Sequence, residues 1–458
     1  MEPGAVTTVD RDRLAALTER EEQRFAREHP RSRELHERAL RSLPGGVPML
    51  WMTKWAGPFP VFVESAEGAR FRDVDGHEYV DLCLGDTGAM TGHGPAATLE
   101  AVRRQLAHGI THMLPTDDAA AAGELLAARF GVPAWQFTLS ATDANRFALR
   151  LARAFTGRPK ILVFDYCYHG TVDETFATLR DDGTVGPRRG NIGPAVDPAM
   201  TTRVVEFNDV AALERELAAG DVAAVLAEPA LTNIGIVLPD PGFHEALREA
   251  TRRTGTLLIL DETHTLCAGP GGYTGEHRLQ PDMLVVGKAI GGGIPSGAYG
   301  LSADLAGRLA GLTTMEDVDV GGIGGTLAGN ALSLAAIRAT LEHVLTPDAY
   351  ARMVPLAERW TEGVEGVLRT HAVPWHVTRL GTRAEYHFLP GAPRNGREAA
   401  AAADFELERY LHLAALNRGV LLTPFHNMAL MSPATTGADV DRHSAAFAET
   451  IGGLFASG

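Results

Sequence analysis

The stretch MLVVGKAIGGGIP, residues 283–295, decides how the centre of this chain folds. Its first residues are apolar or small and predict a buried β-strand, and the glycines that follow Lys288 predict a tight turn. A second apolar run, TLLIL at 256–260, is followed at once by the acidic pair Asp261 and Glu262. Two successive predicted strands therefore end in an amine and a carboxylate.

An amine and a carboxylate delivered in this way suit the chemistry of pyridoxal phosphate. Lys288 would form a Schiff base with the cofactor, and Asp261 would keep its pyridine nitrogen protonated. The alternative is a surface lysine and a helix-capping aspartate, which each residue taken alone would favour because isolated motif matches are weak. The other motifs of the chain decide between the two interpretations.

Composition limits the classes of function that need to be considered. With 458 residues, 45% of them hydrophobic and 22% charged, the chain has the composition of an ordinary globular protein with two or three domains. The formal net charge of -15 argues against a nucleic-acid or anionic-membrane partner, since either would require a concentrated basic surface. Small molecules are the expected ligands.

The cysteines and the absence of long apolar stretches predict a cytoplasmic protein. Cys83, Cys167 and Cys267 are far apart and lack the spacing of a zinc site or disulfide framework, so a reducing compartment is expected and no metal site is predicted. Residues 1–10 lack the apolar core of a signal peptide, and no later segment has about 18 uninterrupted apolar residues. Neither export nor membrane insertion is predicted.

Helix and strand patterns alternate between residues 97 and 345. Continuous apolar strands of this kind are buried on both faces, which predicts an α/β domain with a mainly parallel sheet covered by helices. Helices are predicted at 97–108, 118–130, 142–156, 209–219, 241–254 and 328–343, and strands at 160–164, 203–207, 222–227, 256–260 and 283–287. Ligands bind such sheets at the carboxyl ends of the strands, where Asp261 and Lys288 are expected.

The remaining segments predict a helical arm and a smaller α+β domain. Residues 1–45 form the arm, and 46–96 supply the first part of the small domain, with a hairpin that turns at Asp75-Gly76. Residues 97–345 form the large domain, and 346–458 complete the small one. Within this last part, a strand is predicted at 384–388 and a single helix at 397–416.

Several ordered motifs together resemble one known family. They are LPGGV at 43–47, DVDG at 73–76, YHG at 168–170, EP at 228–229, DE at 261–262, GK at 287–288 with its glycines, and GTLAGN at 325–330. The chain resembles the class III aminotransferases of the pyridoxal phosphate fold-type I superfamily, and within them the branch that includes glutamate-1-semialdehyde aminomutase. This resemblance implies pyridoxal 5'-phosphate as cofactor.

The resemblance also implies which residues bind the phosphate and one face of the ring. SATDA at 140–144 stands where the family has Ser-Gly-Thr-Glu-Ala, so Ala141 and Thr142 are expected at the phosphate, beside a helix N-terminus that favours anions. Tyr168 is expected to stack on the pyridine ring, and the adjoining His169 is placed with the cofactor-binding residues. A core tyrosine is the alternative for Tyr168.

The other cofactor contacts follow from the same resemblance. Glu228 and Asn233 are expected near the ring and its phenolic oxygen, although Asn233 could instead cap a turn. Asp261 is expected at the ring nitrogen, and Lys288 at the Schiff base and as the base that moves the proton. Thr326 resembles the residue that reaches the neighbouring subunit's phosphate, which implies a homodimer with shared active sites.

Substrate recognition is predicted from what departs from the family pattern. Relatives that act on carboxylated amino acids carry an arginine shortly after Pro-Gly-Gly, but residues 47–55, VPMLWMTKW, contain none. Arg383 is the best candidate for binding a carboxylate, with a surface salt bridge as the alternative. Trp51, Lys54 and His426 are further candidates, with core packing the alternative for Trp51 and an exposed loop that for His426.

The predicted activity is transfer of an amino group from an amino acid or amine donor to a keto acid. An isomerase, either an aminomutase or an amino-acid epimerase, is the alternative, and it would use the same Lys288 and Asp261. The segment Thr171-Val172-Asp173, where the mutase branch has His-Ala-Asp, argues against an aminomutase. A catalytically silent protein of the same fold is a remote alternative, because Lys288, Asp261 and Tyr168 are all present.

Overall fold

A computed structural model describes residues 9–312 and 322–456. Residues 1–8 of the predicted arm, 313–321 of the predicted large domain and 457–458 lie outside the described part. The helices are α1 Arg11–Glu28, α2 Pro30–Ala39, α3 Ala96–Leu106, α4 Asp117–Phe130, α5 Ala141–Thr156, α6 Pro198–Thr201, α7 Val210–Leu217, α8 Phe243–Thr254, α9 Gly272–Glu276, α10 Ala303–Leu312, α11 Ala331–His343, α12 Pro347–Thr370, α13 Gly396–Ala401, α14 Phe405–Leu416 and α15 Gly437–Leu454. The strands are β1 Val63–Glu67, β2 Arg70–Asp73, β3 Glu78–Asp81, β4 Ala134–Thr138, β5 Lys160–Phe164, β6 Ala177–Leu179, β7 Val185–Pro187, β8 Thr202–Val205, β9 Val222–Ala227, β10 Leu257–Asp261, β11 Met283–Gly287, β12 Gly297–Leu301, β13 His376–Leu380, β14 Arg383–His387, β15 Val420–Leu421 and β16 Met428–Leu430.

The larger of two compact units contains the described residues between 95 and 350, with 393–401, and is built on a seven-stranded sheet. Its strand order is β4-β12-β11-β10-β9-β5-β8. The neighbouring strands from β11 through β10, β9 and β5 to β8 are parallel, and β12 runs antiparallel to both of its neighbours. All six residues of β9 and all five of β11 are buried, as expected for strands covered on both faces.

The predicted parallel sheet is confirmed, but two of its strands were missed. The sequence analysis did not predict β4 or β12, and the glycines of β12 explain why, since glycine is depleted in strands. A side chain at Gly300 would come within 2.9 Å of the Trp135 ring, and one at Gly297 would meet the backbone of Ser140. Close packing therefore requires these glycines. Strand propensity alone counts the same glycines against a strand.

The smaller unit contains the described residues up to 94, with 351–392 and 402–456. It has a four-stranded sheet, β1-β2-β3-β15, in which the predicted turn at Asp75-Gly76 joins the antiparallel strands β2 and β3. Val420 of β15 pairs in parallel with Val80 of β3, so the beginning and the end of the chain share one sheet. A second sheet has the antiparallel order β13-β14-β16.

The single helix predicted at 397–416 is wrong. The structure has two helices here, α13 and α14, separated at residues 402–404. The Asp404 side chain accepts a hydrogen bond from Leu407 N at 3.1 Å and also binds the Arg11 guanidinium. A helix-capping aspartate begins a new helix rather than continuing one, so the polar residue in the alanine-rich run outweighed helix propensity. Among the described helices, none is long and apolar enough to cross a membrane.

Candidate active site

Lys288 follows β11 directly and begins a short 3-10 helix, Lys288–Gly291. Its φ angle is 51°, in the left-handed region that side-chain-bearing residues rarely adopt. Backbone conformations of this kind cost about 1–3 kcal/mol and cluster at functional sites, where the surrounding fold holds them. The strand end and the turn therefore fix where the lysine side chain starts.

Asp261 is the last residue of β10, the strand that pairs in parallel with β11. It pairs with Val285, three residues before Lys288, and its exposed fraction is 3%. Its Oδ2 accepts hydrogen bonds from the Asn145 side-chain amide at 2.8 Å and from His169 Nδ1 at 3.0 Å. The carboxylate is therefore buried with two side-chain donors on one oxygen.

The Asp261–His169 pair is held in its charged form. Burial opposes the charge on His169, but the neighbouring Cys167 and the hydrogen bond to Asp261 outweigh it and raise the pKa of His169 to about 10. Burial likewise acts to raise the pKa of Asp261, but the bond from His169 outweighs burial and the pKa is lowered. Asp261 is thus an anion at neutral pH, which the electronic role predicted for it requires.

A histidine contacts the predicted catalytic lysine. His264 Nε2 lies 2.8 Å from Lys288 Nζ, and His264 has an exposed fraction of 8%. The sequence analysis missed both His264 and Asn145. A signal existed for Asn145, which is fully buried on the apolar face of α5 beside Ala144 and Ala148, where a polar residue needs a partner.

The N-terminus of α5 lies beside the strand that leads to Lys288. Ser140 caps the helix by accepting a hydrogen bond from Asp143 N at 3.2 Å, and Ala141 and Thr142 form its first turn. A Cβ added to Gly287 would lie 2.8 Å from that of Ala141, so the glycine permits this approach. The arrangement brings the positive end of a helix dipole to the residue before the lysine.

The segment that carries Tyr168 and His169 packs on the same helix end. Thr171 N donates to Thr142 Oγ1 at 3.1 Å, and Gly170 has a φ of 74° and no room for a Cβ against Thr142. Tyr168 is half-buried, and its ring makes an edge contact with Phe176 at a centroid distance of 6.4 Å. This packing places Tyr168 and Thr142 in one neighbourhood.

Glu228 and Asn233 hold the segment that precedes Tyr168. Tyr168 N donates to Glu228 Oε1 at 3.1 Å, and Thr232 N donates to the other oxygen at the same distance. Burial raises the pKa of Glu228. The Asn233 amide donates to Tyr166 O at 3.2 Å, so this side chain ties two loops together.

This donor set fits pyridoxal phosphate. The larger unit supplies an amine at Lys288, a buried carboxylate at Asp261, a helix N-terminus at Ala141 and Thr142, and a half-buried aromatic ring at Tyr168. Each suits one part of the cofactor: the aldehyde, the ring nitrogen, the phosphate and the ring face, in that order. His169 is fully buried, and its Nδ1 lies 3.0 Å from the Asp261 carboxylate.

The structure also describes the remaining predicted site residues. Thr326 is exposed on the loop before α11, within the larger unit. Trp51 and Lys54 lie in the smaller unit on a 3-10 helix, Leu50–Lys54, and both are exposed, so the core-packing alternative for Trp51 is wrong. His426 is 7% exposed, and the alternative of an exposed loop residue is wrong for it too.

Arg383 is buried inside the smaller unit. Its side chain has an exposed fraction of 0%, and Nη2 lies 3.4 Å from Glu385 Oε2. His426 Nδ1 lies 3.1 Å from the other oxygen of Glu385, whose pKa burial would raise but His426 and Arg383 lower to about 2. A surface salt bridge is therefore wrong for Arg383, and binding a substrate carboxylate would require it to exchange a buried partner.

Replacing Arg383 by methionine tests whether its role is the buried ion pair with Glu385 or the binding of a substrate carboxylate. Because the change leaves the Glu385 carboxylate buried without its guanidinium, we expect unfolding in urea at pH 7 to need about 3–5 kcal/mol less free energy. The folded pKa of Glu385 is lowered to about 2 from 4.5, so its contribution is full above about pH 4.5 and is lost as pH falls towards 2. The difference in the free energy of unfolding between the wild type and Arg383→Met should therefore shrink as pH falls from about 4.5 to about 2.

The matched control is Arg379→Met on the neighbouring strand β13; the Arg379 side chain is 36% exposed, and its guanidinium pairs with Glu358 at 3.1 Å. Partly exposed pairs contribute less than about 1 kcal/mol, so this variant should be nearly as stable as the wild type. Unchanged stability of Arg383→Met together with a raised KM for carboxylated substrates alone would instead assign Arg383 to substrate binding.

Comparison with known proteins identifies the family. A sequence model described as aminotransferase class-III matches residues 51–449, so the chain belongs to that family. It is a pyridoxal-phosphate-dependent enzyme with the fold of the type I superfamily.

Among its relatives, the chain is 32% identical over 419 residues to a glutamate-1-semialdehyde 2,1-aminomutase of Laribacter hongkongensis, which covers 90% of this chain and 96% of the relative. A crystal structure of a glutamate-1-semialdehyde-aminomutase from Pseudomonas aeruginosa, a lysine-to-alanine variant in complex with PMP, has 50% identity and a TM-score of 0.96, covering 98% of this chain and 100% of the other. An omega-transaminase from Sphaerobacter thermophilus has 32% identity and a TM-score of 0.83, covering 92% and 97%.

Proposed function

We propose that this chain is an aminomutase, which moves an amino group from one carbon to another within a single substrate, with Lys288 and Asp261 as its catalytic residues. The observation that carries the chemistry is the pairing of β10 with β11, which sets a buried, charged carboxylate and a lysine at the ends of neighbouring strands. Pyridoxal phosphate, when bound, supplies an aldehyde that captures amines and a ring that accepts electrons.

Each of the other roles is assigned to particular residues of the chain. Lys288 Nζ would hold the cofactor through its aldehyde carbon, and the same amine would take and return the proton at the substrate carbon that carries the amino group. Asp261 holds a proton on the ring nitrogen because its own carboxylate stays ionised. The first turn of α5, with Ala141 and Thr142, would hold the phosphate, and Tyr168 would stack on the ring. Glu228 and Asn233 fix the segment on which Tyr168 lies.

We prefer aminomutase activity to the aminotransferase activity predicted from the sequence because of the names that two relatives carry. Two of them, at 32% and 50% identity over nearly their whole length, carry the name glutamate-1-semialdehyde aminomutase. Transfer between an amino donor and a keto acid remains the second candidate. It is favoured by the lack of an arginine in residues 47–55 and by Thr171-Val172-Asp173, and by the similarity to an omega-transaminase. An epimerase would use the same residues.

Product analysis separates these activities. The purified protein, loaded with pyridoxamine phosphate, is incubated with glutamate 1-semialdehyde and no added keto acid. An aminomutase converts the substrate over many turnovers to the isomer whose amino group has moved from carbon 2 to carbon 1. An aminotransferase stops after one equivalent per site until a suitable partner substrate is added, and then releases a carbonyl product with each transfer. Multiple turnovers that need such a partner would overturn the aminomutase proposal.

We further infer a homodimer in which Thr326 binds the phosphate of the neighbouring subunit's cofactor. Its support is the exposure of Thr326 on the loop before α11 and the family resemblance. We expect Thr326→Ala to release pyridoxal phosphate more readily on dialysis. Mixed dimers of Thr326→Ala with Lys288→Ala contain one site that lacks both groups and one intact site, and should recover activity. A fully active monomer, or mixed dimers without activity, would contradict shared sites.

We also infer a cytoplasmic location from the cysteines. Cys83, Cys167 and Cys267 are all buried and none forms a disulfide, which suits a reducing compartment. Fractionation of cells that express the protein tests this location.

A further inference from the structure

We propose that His264 is a positioning residue for Lys288, holding its amine in place before the covalent bond to the cofactor forms; this inference rests on the proposed function. The contact that carries it is the 2.8 Å distance between His264 Nε2 and Lys288 Nζ. A lysine ammonium can only donate hydrogen bonds, whereas an imidazole nitrogen without a proton accepts them. We assign the donor role to the Lys288 amine and the acceptor role to His264 Nε2, an assignment that places the ring proton on Nδ1.

The lysine needs such a partner because its side chain is flexible. A four-carbon chain loses rotamer entropy when it is fixed. The strained backbone at Lys288, with a φ of 51°, sets only the origin of the side chain. A hydrogen bond at its far end restricts the amine as well, so part of that entropy is lost before the cofactor arrives.

His264 can serve as a fixed partner because the residues beside it are anchored. Asp261 Oδ1 accepts from Thr263 N at 3.1 Å, which holds the chain on one side of the histidine. Glu262 accepts from Thr265 Oγ1 at 2.6 Å and from Tyr273 N at 3.0 Å, which holds the other side. Both carboxylates thus tie down the short segment that carries the imidazole.

The step that His264 assists is attachment of the cofactor. The Lys288 nitrogen forms a bond to the aldehyde carbon of pyridoxal phosphate, and the aldehyde oxygen leaves as water after taking up two protons, which come from the amine. Positioning of Nζ should change the rate of this step. It should have little effect on whether the protein folds.

The test follows attachment to the apo-protein rather than turnover. Apo-protein is mixed with pyridoxal phosphate, samples are reduced with borohydride at set times, and the labelled lysine is found by peptide mass mapping. The sequence has three lysines, Lys54, Lys160 and Lys288, so the assignment is direct. His264→Leu, which has no acceptor, should attach about ten- to a hundredfold more slowly, the range for loss of a hydrogen bond to a charged group. His264→Gln, whose amide oxygen can accept, should stay within about threefold of the wild type.

His277→Leu is the matched control, because His277 lies in the same unit and stacks on Tyr273 at a centroid distance of 4.0 Å; it should attach at the wild-type rate. If His264→Leu does not fold, as judged by circular dichroism, His264→Phe keeps a flat ring without an acceptor. Attachment of the leucine or phenylalanine variant at the wild-type rate, or equal slowing in glutamine and leucine variants, would overturn the positioning role. Failure of the wild type to attach cofactor to Lys288 at all would instead contradict the proposed function.

Discussion

Replacing Lys288 by alanine is expected to leave a folded protein that no longer binds pyridoxal phosphate covalently and has almost no activity. The variant loses both the amine that attaches the cofactor and the base that moves the substrate proton, so turnover should fall by at least about a thousandfold. Borohydride reduction followed by mass mapping measures the first loss, and product formation measures the second. No other lysine can replace it, because Lys288 is the one that follows the end of β11.

Lys160→Ala is the control for this experiment. Lys160 begins β5 in the same unit and its ammonium lies 3.6 Å from Asp221, with a quarter of its side chain exposed. This variant should keep wild-type cofactor attachment and turnover. Appreciable activity in Lys288→Ala, with added amine excluded as a substitute base, would show that another group performs the chemistry.

Asp261→Asn is expected to bind the cofactor but to catalyse proton transfer on the order of a hundredfold more slowly, because a neutral amide does not stabilise a protonated ring nitrogen. Single-turnover kinetics with substrate in excess measures this step directly. The control is Asp304→Asn, whose side chain is 80% exposed on α10 and which should react at the wild-type rate. Near-normal proton transfer in Asp261→Asn would count against the assigned role.

The same variant should change how stability depends on pH. The folded pKa of His169 is raised to about 10 from 6.5, so the stabilisation from its charge is full below about pH 6.5 and is lost as pH rises through about 10. Without the Asp261 anion, part of that raised pKa disappears. We expect the free energy of unfolding of the wild type to decrease more steeply between pH 7 and 10 than that of Asp261→Asn. Parallel curves would show that the pair is not charged.

The parallel core could be predicted because its strands carry their own signal. Runs such as 283–287 and 256–260 are apolar throughout, and burial on both faces follows from that without knowledge of the neighbours. The strands β4 and β12 could not be found in this way. Glycines in β12 are required by contacts with Trp135 and Ser140, which lie far away in the sequence.

By itself the sequence determined the strand ends that bear Asp261 and Lys288, the helix end that begins at Ala141, and the family to which the chain belongs. These features depend on local order along the chain. The tertiary structure alone decided which side chains meet. His264 reaches Lys288, Asn145 reaches Asp261, and Arg383 is buried against Glu385 rather than exposed. Side-chain direction and packing between separate elements set these contacts, and neither is encoded in the spacing of residues along the chain.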